Sequence, residues 1–464
     1  MASDRTSSVE LLLDLDRGAP IAAQLEARLR EGVRERRLAP GSVLPSTRAL
    51  ARELGVSRGV VVAAYAQLGA EGYLDVRQGA AVRVARTAAA PLEADEPPTP
   101  RTARYNLRPD VADYASFPRR EWLASLRNAL RDARDEDLGY GDPRGSERLR
   151  VALAASLGRS RGVAARPARV HVAVGFAAAL TAVCAALRAR GARRIAIEDP
   201  AHMTVRRLVE HTGLDVLPVP VDAAGLRVAE LRDVDVVLAT PAHHFPTTAV
   251  LSPERRAEVV AWAEAHDAVI LEDDVDAEFR YDRVPIGALQ GLAPERVVYL
   301  GSASRTLAPG LRLGWAVLPS WLANDVRLQV ERTIIAPPVL EQLALADFLE
   351  RGELDRHLRR MRLHYRRRRD VLVDALARGM PELRVDGVAA GLHVVARLPD
   401  DADEAAVLAA ARNARIALAG MREHAIAAEV PAALLLGFAR SNEAAIREGV
   451  RALAKALASV RGEP

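Results

Sequence analysis

The sequence predicts an α/β chain built from two modules. A small helix-turn-helix module with a two-stranded wing comes first. A large, mainly parallel sheet with helices on both faces follows, ending in a small α+β subdomain. Three observations carry this. Apolar residues recur at helical spacing over residues 21–71 and break at a glycine-containing turn. Short apolar runs alternate with helical stretches between Val170 and Leu300. Between the modules, Arg86 to Pro100 holds four prolines and no hydrophobic periodicity. The expected domains are residues 1–85, a linker at 86–104, and 105–464, with about 321–464 as the small subdomain. A linker fits 86–104 better than a surface loop, because both flanks read as self-contained modules.

In the first module, Ile21, Leu25, Leu29 and Val33 give one helix. Ser46 caps a second, which carries Leu50 and Leu54 and stops at Gly55. Ser57 caps a third, running to about Glu71 with Val61, Ala64, Tyr65 and Leu68 toward the core. Ser57, Arg58, Gly59 and Val62 then fall on its N-terminal outer face, the end that recognition helices present to base edges. Arg58 suits guanine or phosphate, and small neighbours allow close approach. Arg48 can reach a phosphate or a base. Tyr73–Arg77 and Val82–Val84 read as short strands around Gln78-Gly79. Residues 28–58 hold eight arginines against three acids, so positive charge lies where a phosphate backbone would run. A module used for protein contacts is the bland alternative. The net charge of the whole chain, +4, is too small to argue nucleic acid by itself.

In the second module the strands are expected at Val170–Val174, Arg194–Ile197, Val216–Val219, Val234–Ala239, Ala268–Leu271 and Val297–Leu300. Helices such as Ala177–Arg190 and Pro253–His266 separate them. Beyond Trp321 the pattern turns mostly helical, with a weaker strand pair near Gly391–Leu398 and Leu434–Phe438.

Composition excludes several classes. No apolar run approaches the roughly 18 to 20 residues of a membrane helix. Met1 to Glu10 lacks the basic-then-apolar pattern of a secretory signal, so a cytoplasmic protein with no membrane partner is expected. One cysteine, Cys184, excludes a disulfide framework and reads as core. Of 65 basic residues, 64 are arginine and one is lysine, Lys455. Any chemistry needing a lysine amine therefore has one candidate, and Lys455 lies on a predicted C-terminal helix as a solvated residue.

The segments Leu44-Pro-Ser-Thr-Arg48-Ala-Leu-Ala, Leu54-Gly-Val-Ser-Arg58 and Gln67-Leu-Gly-Ala-Glu-Gly72-Tyr together resemble the winged helix of the GntR family of bacterial regulators. The resemblance implies double-stranded operator DNA as partner. It implies contacts from Arg48, Ser57, Arg58, Gly59, Val62 and the wing tip at Gln78 and Gly79. The wing turn departs from the family's Gly-Ser-Gly, being Gly79-Ala80-Ala81.

Further motifs stand in a fixed order: Phe117-Pro118 with Trp122, Tyr140-Gly-Asp-Pro-Arg-Gly145, Glu198-Asp-Pro200, Thr240-Pro-Ala-His-His-Phe-Pro-Thr247, Glu272-Asp-Asp274, Gly301-Ser-Ala-Ser-Arg305 and Pro309-Gly-Leu-Arg312-Leu-Gly314, with His357-Leu-Arg-Arg-Met361 later. After a winged helix, this set resembles the fold-type I aminotransferase-like domain of MocR-type regulators. That resemblance implies a homodimer and pyridoxal phosphate held as a Schiff base by lysine in Ser-Lys-Thr-Leu. Here the lysine position is Arg305. A Schiff base needs a neutral primary amine, and a guanidinium stays protonated. Covalent cofactor binding is therefore expected to be absent, with no catalytic residue, while noncovalent binding stays open.

Other positions also depart from the family. The tyrosine expected two residues after the pyridine-nitrogen aspartate is Val275, and the ring-stacking aromatic is His202. Gly-x-Gln-Gln-Ala is Gly175-Phe176-Ala177-Ala-Ala179, and Pro-Thr-Gly, after Phe245, is Pro246-Thr-Thr248. What survives matches an anion site. Gly175 precedes a helix, Ser302, Ser304 and Arg312 match the phosphate cup, and Asp273 matches the pyridine partner. Arg440 lies near where this fold can hold a substrate carboxylate.

Two readings of the pocket compete. Either it binds a phosphate- or carboxylate-bearing effector noncovalently, or Arg305 pairs with Asp273 and fills it. The expectation is a transcriptional regulator with a small anionic effector. The alternatives are a working pyridoxal-phosphate aminotransferase with an accessory DNA-binding domain, and a ligand-free DNA-binding dimer. The acidic run Glu272, Asp273, Asp274, Asp276 is read as cofactor-facing, with no metal. The eight arginines of Arg356–Arg369 are read as pointing several ways on a solvated or subunit-facing helix.

Overall fold

The computed structural model describes residues 15–77, 79–86, 103–274, 276–281, 286–333, 336–387 and 389–461. The chain divides into two compact units, Met1–Pro100 and Arg101–Pro464.

In the first unit, α1 (Ile21–Arg34), α2 (Thr47–Leu54) and α3 (Arg58–Ala70) precede β1 (Leu74–Asp75) and β2 (Arg83–Val84). The cap on α2 forms as expected: Ser46 Oγ accepts from the Ala49 N–H at 3.2 Å, and Gly55 ends the helix at φ 62°. Ser57 occupies the N-cap position of α3 with extended backbone, but its hydroxyl makes no capping hydrogen bond. Val61, Ala64, Tyr65 and Leu68 are buried against Leu25, Leu29 and Leu50. Tyr65 carries its hydroxyl into this core because the hydroxyl donates to Pro45 O at 3.0 Å. β1 and β2 pair antiparallel, Leu74 opposite Val84.

The second unit runs β3 (Tyr105–Asn106), α4 (Arg119–Asp132), α5 (Glu147–Arg161), β4 (Val170–Val174), α6 (Gly175–Ala189), β5 (Arg194–Asp199) and α7 (Met203–Glu210). Then come β6 (Asp215–Asp222), β7 (Gly225–Leu226), β8 (Val236–Ala239), α8 (Pro253–Ala265), β9 (Val269–Asp273), β10 (Val297–Ser302) and β11 (Leu313–Val317). Each expected apolar run is a strand of one eight-stranded sheet, in the order β4-β11-β10-β9-β8-β5-β6-β7. β10, β9, β8, β5 and β6 are parallel to their neighbours in that series. β11 runs antiparallel to both β10 and β4, and β7 folds back on β6.

The remainder is α9 (Ala323–Thr333), α10 (Val339–Glu350), α11 (Glu353–Gly379), β12 (Arg384–Asp386), β13 (His393–Arg397), α12 (Glu404–Asn413), β14 (Ile416–Ala417), β15 (Ala419–Gly420), β16 (Ala433–Gly437) and α13 (Glu443–Arg461). The expected strand pair forms, β13 antiparallel to β16, within a four-stranded sheet.

The cores divide this unit differently from the boundary expected near residue 321. Leu322 and Val326 pack with α6, and Leu343 to Leu349 of α10 pack with Trp122 and Leu149. α10 is buried on nearly every side, so it needs elements of the large domain around it. The small core begins at Leu358 in α11 and takes in Leu107 and Ala112. The segment after residue 103 joins it because β3 pairs in parallel with β14. No described helix is long and apolar enough to cross a membrane.

Candidate functional site

On the first unit, the face opposite the buried quartet of α3 presents Ser57, Arg58, Gly59 and Val62 to solvent. Val62 is 44% exposed, an apolar residue beside a cation at a helix N-terminus. Arg58 Nε reaches Thr47 Oγ1 at 3.4 Å, which holds the guanidinium over the turn. Arg48 is exposed on the first turn of α2. Gly79, exposed at φ 79°, leaves open space at the wing tip. Gln78 lies outside the described residues.

The second unit builds its pocket at the C-terminal ends of β5, β8, β9 and β10. α6 starts at Gly175 (φ 83°) directly after β4. β11 approaches so closely that a Cβ on Gly314 would stand 2.4 Å from Gly175 C and 2.7 Å from Phe176 N. Glycine at 314 is thus what seats the helix N-terminus. Arg312 takes a left-handed conformation (φ 52°) and donates from Nη2 to Val174 O at 3.3 Å. Its guanidinium carbon is 3.8 Å from where a Gly175 Cβ would lie. Ser302 Oγ accepts from the Ser304 N–H at 2.9 Å, which shapes the turn after β10. Gly175, Phe176, Ala177 and Arg312 thus gather at the start of α6, and the pairing of Ser302 with Gly314 brings the Ser302–Ser304 turn to the same edge of the sheet. Helix N–H groups, hydroxyls and a guanidinium are the donor types that suit a phosphate, such as that of pyridoxal phosphate.

Among the described residues, none of the elements around this site carries a lysine. Arg305 Nε lies 3.4 Å from Asp276 Oδ1, with the side chains 13% and 9% exposed. The filled-pocket reading names Asp273 as the partner; Asp273 ends β9 as a partly buried residue with an interaction of its own. The acidic run is dispersed. Glu272 accepts the Leu289 and Gln290 N–H groups at 2.7 and 2.8 Å, and burial beside Asp274 raises its pKa. Asp274 takes a bidentate pair from the buried Arg161, both contacts 2.7 Å. Neighbours in sequence thus face different partners, and no group among the described residues could hold a metal. Val275 lies outside the described residues. Lys455 is exposed on α13.

His202 caps α7, its Nδ1 accepting from the Thr204 N–H at 3.2 Å. Its ring centroid stands 5.2 Å from Phe245 and 6.1 Å from His424. Phe245 also meets His424 at 5.0 Å and His393 at 5.2 Å, and His243 meets His393 at 5.6 Å. Sequence reasoning missed His243, His393 and His424, which come from three distant segments with no shared spacing. Burial drives His243 down to about 4 and His393 to about 3, so both are neutral. The Arg305 charge acts on these rings and on Asp110, which the N-terminal segment of the unit brings over the pocket. Asp199 fixes the small-subdomain side by accepting the Ile426, Ala427 and Ala428 N–H groups, each at 2.7 Å. Arg440 is exposed, its guanidinium 5.2 Å over the Tyr114 ring.

Residues 21–84 match the gntR family of bacterial regulatory proteins, and residues 111–453 match aminotransferase class I and II. The chain belongs to the HTH-type transcriptional regulators that join these two parts. It is 35% identical to the pyridoxine biosynthesis regulator PdxR of Corynebacterium glutamicum, covering 81% of this chain and 83% of that one. It is 32% identical to the probable rhizopine catabolism regulatory protein MocR of Rhizobium meliloti, covering 96% of each. A kynurenine aminotransferase structure from Pyrococcus horikoshii superposes with a TM-score of 0.70 at 24% identity, covering 77% of this chain and 91% of that one. That likeness concerns the fold.

Proposed function

We propose that this regulator senses a small anion without covalent attachment of pyridoxal phosphate and that it does not transaminate. The observation that carries the reading is Arg305, at the family's lysine position and ion-paired with Asp276. A guanidinium cannot form the Schiff base, and the one lysine points to solvent from α13. The cup of Gly175, Ser302, Ser304 and Arg312 supplies donors for a phosphate or carboxylate. Asp273, His202 and Phe245 border the remaining space, and Arg440 is a candidate for a carboxylate.

The DNA contacts are assigned to Arg48, Ser57, Arg58, Gly59, Val62 and the wing tip at Gln78 and Gly79. The chain is read as a homodimer acting on DNA in the cytoplasm, with residues 86–104 as the linker, of which 87–102 lie outside the described residues. An anion that binds one arrangement of the dimer more tightly shifts the population toward it and so changes DNA affinity.

The test is a titration with pyridoxal phosphate and, separately, inorganic phosphate, following the visible band and the melting temperature. The reading expects stabilisation that grows with the logarithm of ligand concentration and no borohydride-reducible band. A reducible band contradicts it. The Arg305–Asp276 pair also favours a second reading, a filled pocket and a purely structural domain. No stabilisation by either probe selects that one.

A further inference from the structure

Helix α11 carries eight arginines between Arg356 and Arg369, and they point several ways, as expected, with half of them gathered on one exposed face. Four have partners. Arg368 holds Asp113 at 3.2 Å, Arg362 holds Glu278 at 3.2 Å, Arg356 holds Glu353 at 2.8 Å and Arg369 holds Asp370 at 3.3 Å. The other four, Arg359, Arg360, Arg366 and Arg367, are exposed. None makes an ion pair with another described residue. At 3.6 residues per turn they share one face of about 120°, with Leu363 among them. The opposite face, Leu358, Met361, Tyr365 and Leu372, is core.

The nearby acids are already engaged. Glu121 pairs with Arg120 at 3.0 Å, and Glu353 with Arg356 and Arg351 at 2.8 and 3.1 Å. Asp370, on the same face, is taken by Arg369, and Arg360 acts on Glu121 and Glu353 without forming an ion pair with either, so positive charge is in excess on this face. From Arg359 to Arg367 the face runs about 12 Å, a length over which duplex DNA carries about seven phosphate charges. Guanidinium groups suit phosphate, and the spacing asks for a line of anions, not one.

We propose that the exposed face of α11 is a second, sequence-independent contact for the backbone of duplex DNA, additional to the winged helix. It rests on the reading of the chain as a DNA-binding protein.

The test uses the full chain and a labelled mixed-sequence duplex of about 60 base pairs, with binding followed by anisotropy across a salt series. Replacing the four arginines by glutamine (R359Q/R360Q/R366Q/R367Q) is expected to lower the slope of log K against log salt by about 3 to 4. The four-lysine variant should keep the slope, because point charges suffice for backbone contacts. An unchanged slope in the glutamine variant overturns the proposal while leaving DNA binding intact. A change of oligomeric mass in that variant, measured by light scattering, also overturns it and assigns the face to a second copy of the chain. If the unmodified chain binds no duplex, the DNA-binding reading fails as well.

Discussion

Arg305 reaches Asp276 through Nε and Oδ1 at 3.4 Å. Asp276 belongs to the turn after β9, so the pair links two loops at the C-terminal edge of the sheet. Removing one partner of a largely buried pair leaves the other charge uncompensated. Asp276→Ala is expected to destabilise the chain by about 2 kcal/mol, and Arg305→Met with Asp276→Ala together should recover most of that. Denaturant unfolding of the three variants gives the coupling. Additive losses would mean the two side chains do not act as a pair.

Arg161 and Asp274 form the deeper pair, with side chains 0% and 1% exposed. Arg161→Ala should cost about 3 to 5 kcal/mol, read as a fall in the unfolding midpoint. A loss below about 1 kcal/mol would show that the pair adds little to stability.

Gly314 seats the start of α6 by leaving room for Gly175 and Phe176. Gly314→Ala should push the helix N-terminus away from Arg312 and abolish stabilisation by phosphate, with the sheet still folded by circular dichroism. Full stabilisation by phosphate in that variant would place the anion elsewhere.

Burial holds His171, His243 and His357 at about 4, and His244 and His393 at about 3. The unfolded chain takes up protons on these rings near their ordinary value of about 6.5, and the folded chain does not. Their stabilising effect is complete above that value and is lost as pH falls toward 4 and 3. Glu198, pushed up to about 7 by burial, and Glu272, raised by burial and Asp274, act in the opposite sense and stabilise less as pH rises. Five rings against two carboxyls predict a lower melting temperature at about pH 5 than at about pH 7. His243→Gln with His393→Gln should flatten that dependence. A melting temperature that rises on acidification would contradict the assignment of neutral buried rings.

Arg58→Ala should weaken binding to a duplex selected with the full chain by about 1 to 3 kcal/mol, measured at fixed salt. Equal loss on random duplex would mean that Arg58 contacts only phosphate.

Local patterns were readable from the sequence, and pairings between distant loops were not. The buried set Val61, Ala64, Tyr65 and Leu68 follows from helical spacing, and the six strand runs follow from short apolar stretches between helices. Asp276 as partner of Arg305 could not be read, because four acids crowded into residues 272–276 give no sign of which way each one turns. The small subdomain was misjudged at both ends. Nothing local in Tyr105–Asn106 says that it pairs with Ile416–Ala417, and α10 is apolar all round whichever core receives it. The ring cluster around Phe245 was invisible for the same reason.

The central claim, that Arg305 replaces the anchoring lysine, is tested most directly by incubating the natural chain and its Arg305→Lys variant with pyridoxal phosphate. Both are then reduced with borohydride, and the adduct is mapped by mass spectrometry. An adduct at residue 305 of the variant, and none in the natural chain, is the predicted result. A stoichiometric adduct on the natural chain, at Lys455 or the N-terminal amine, would contradict it.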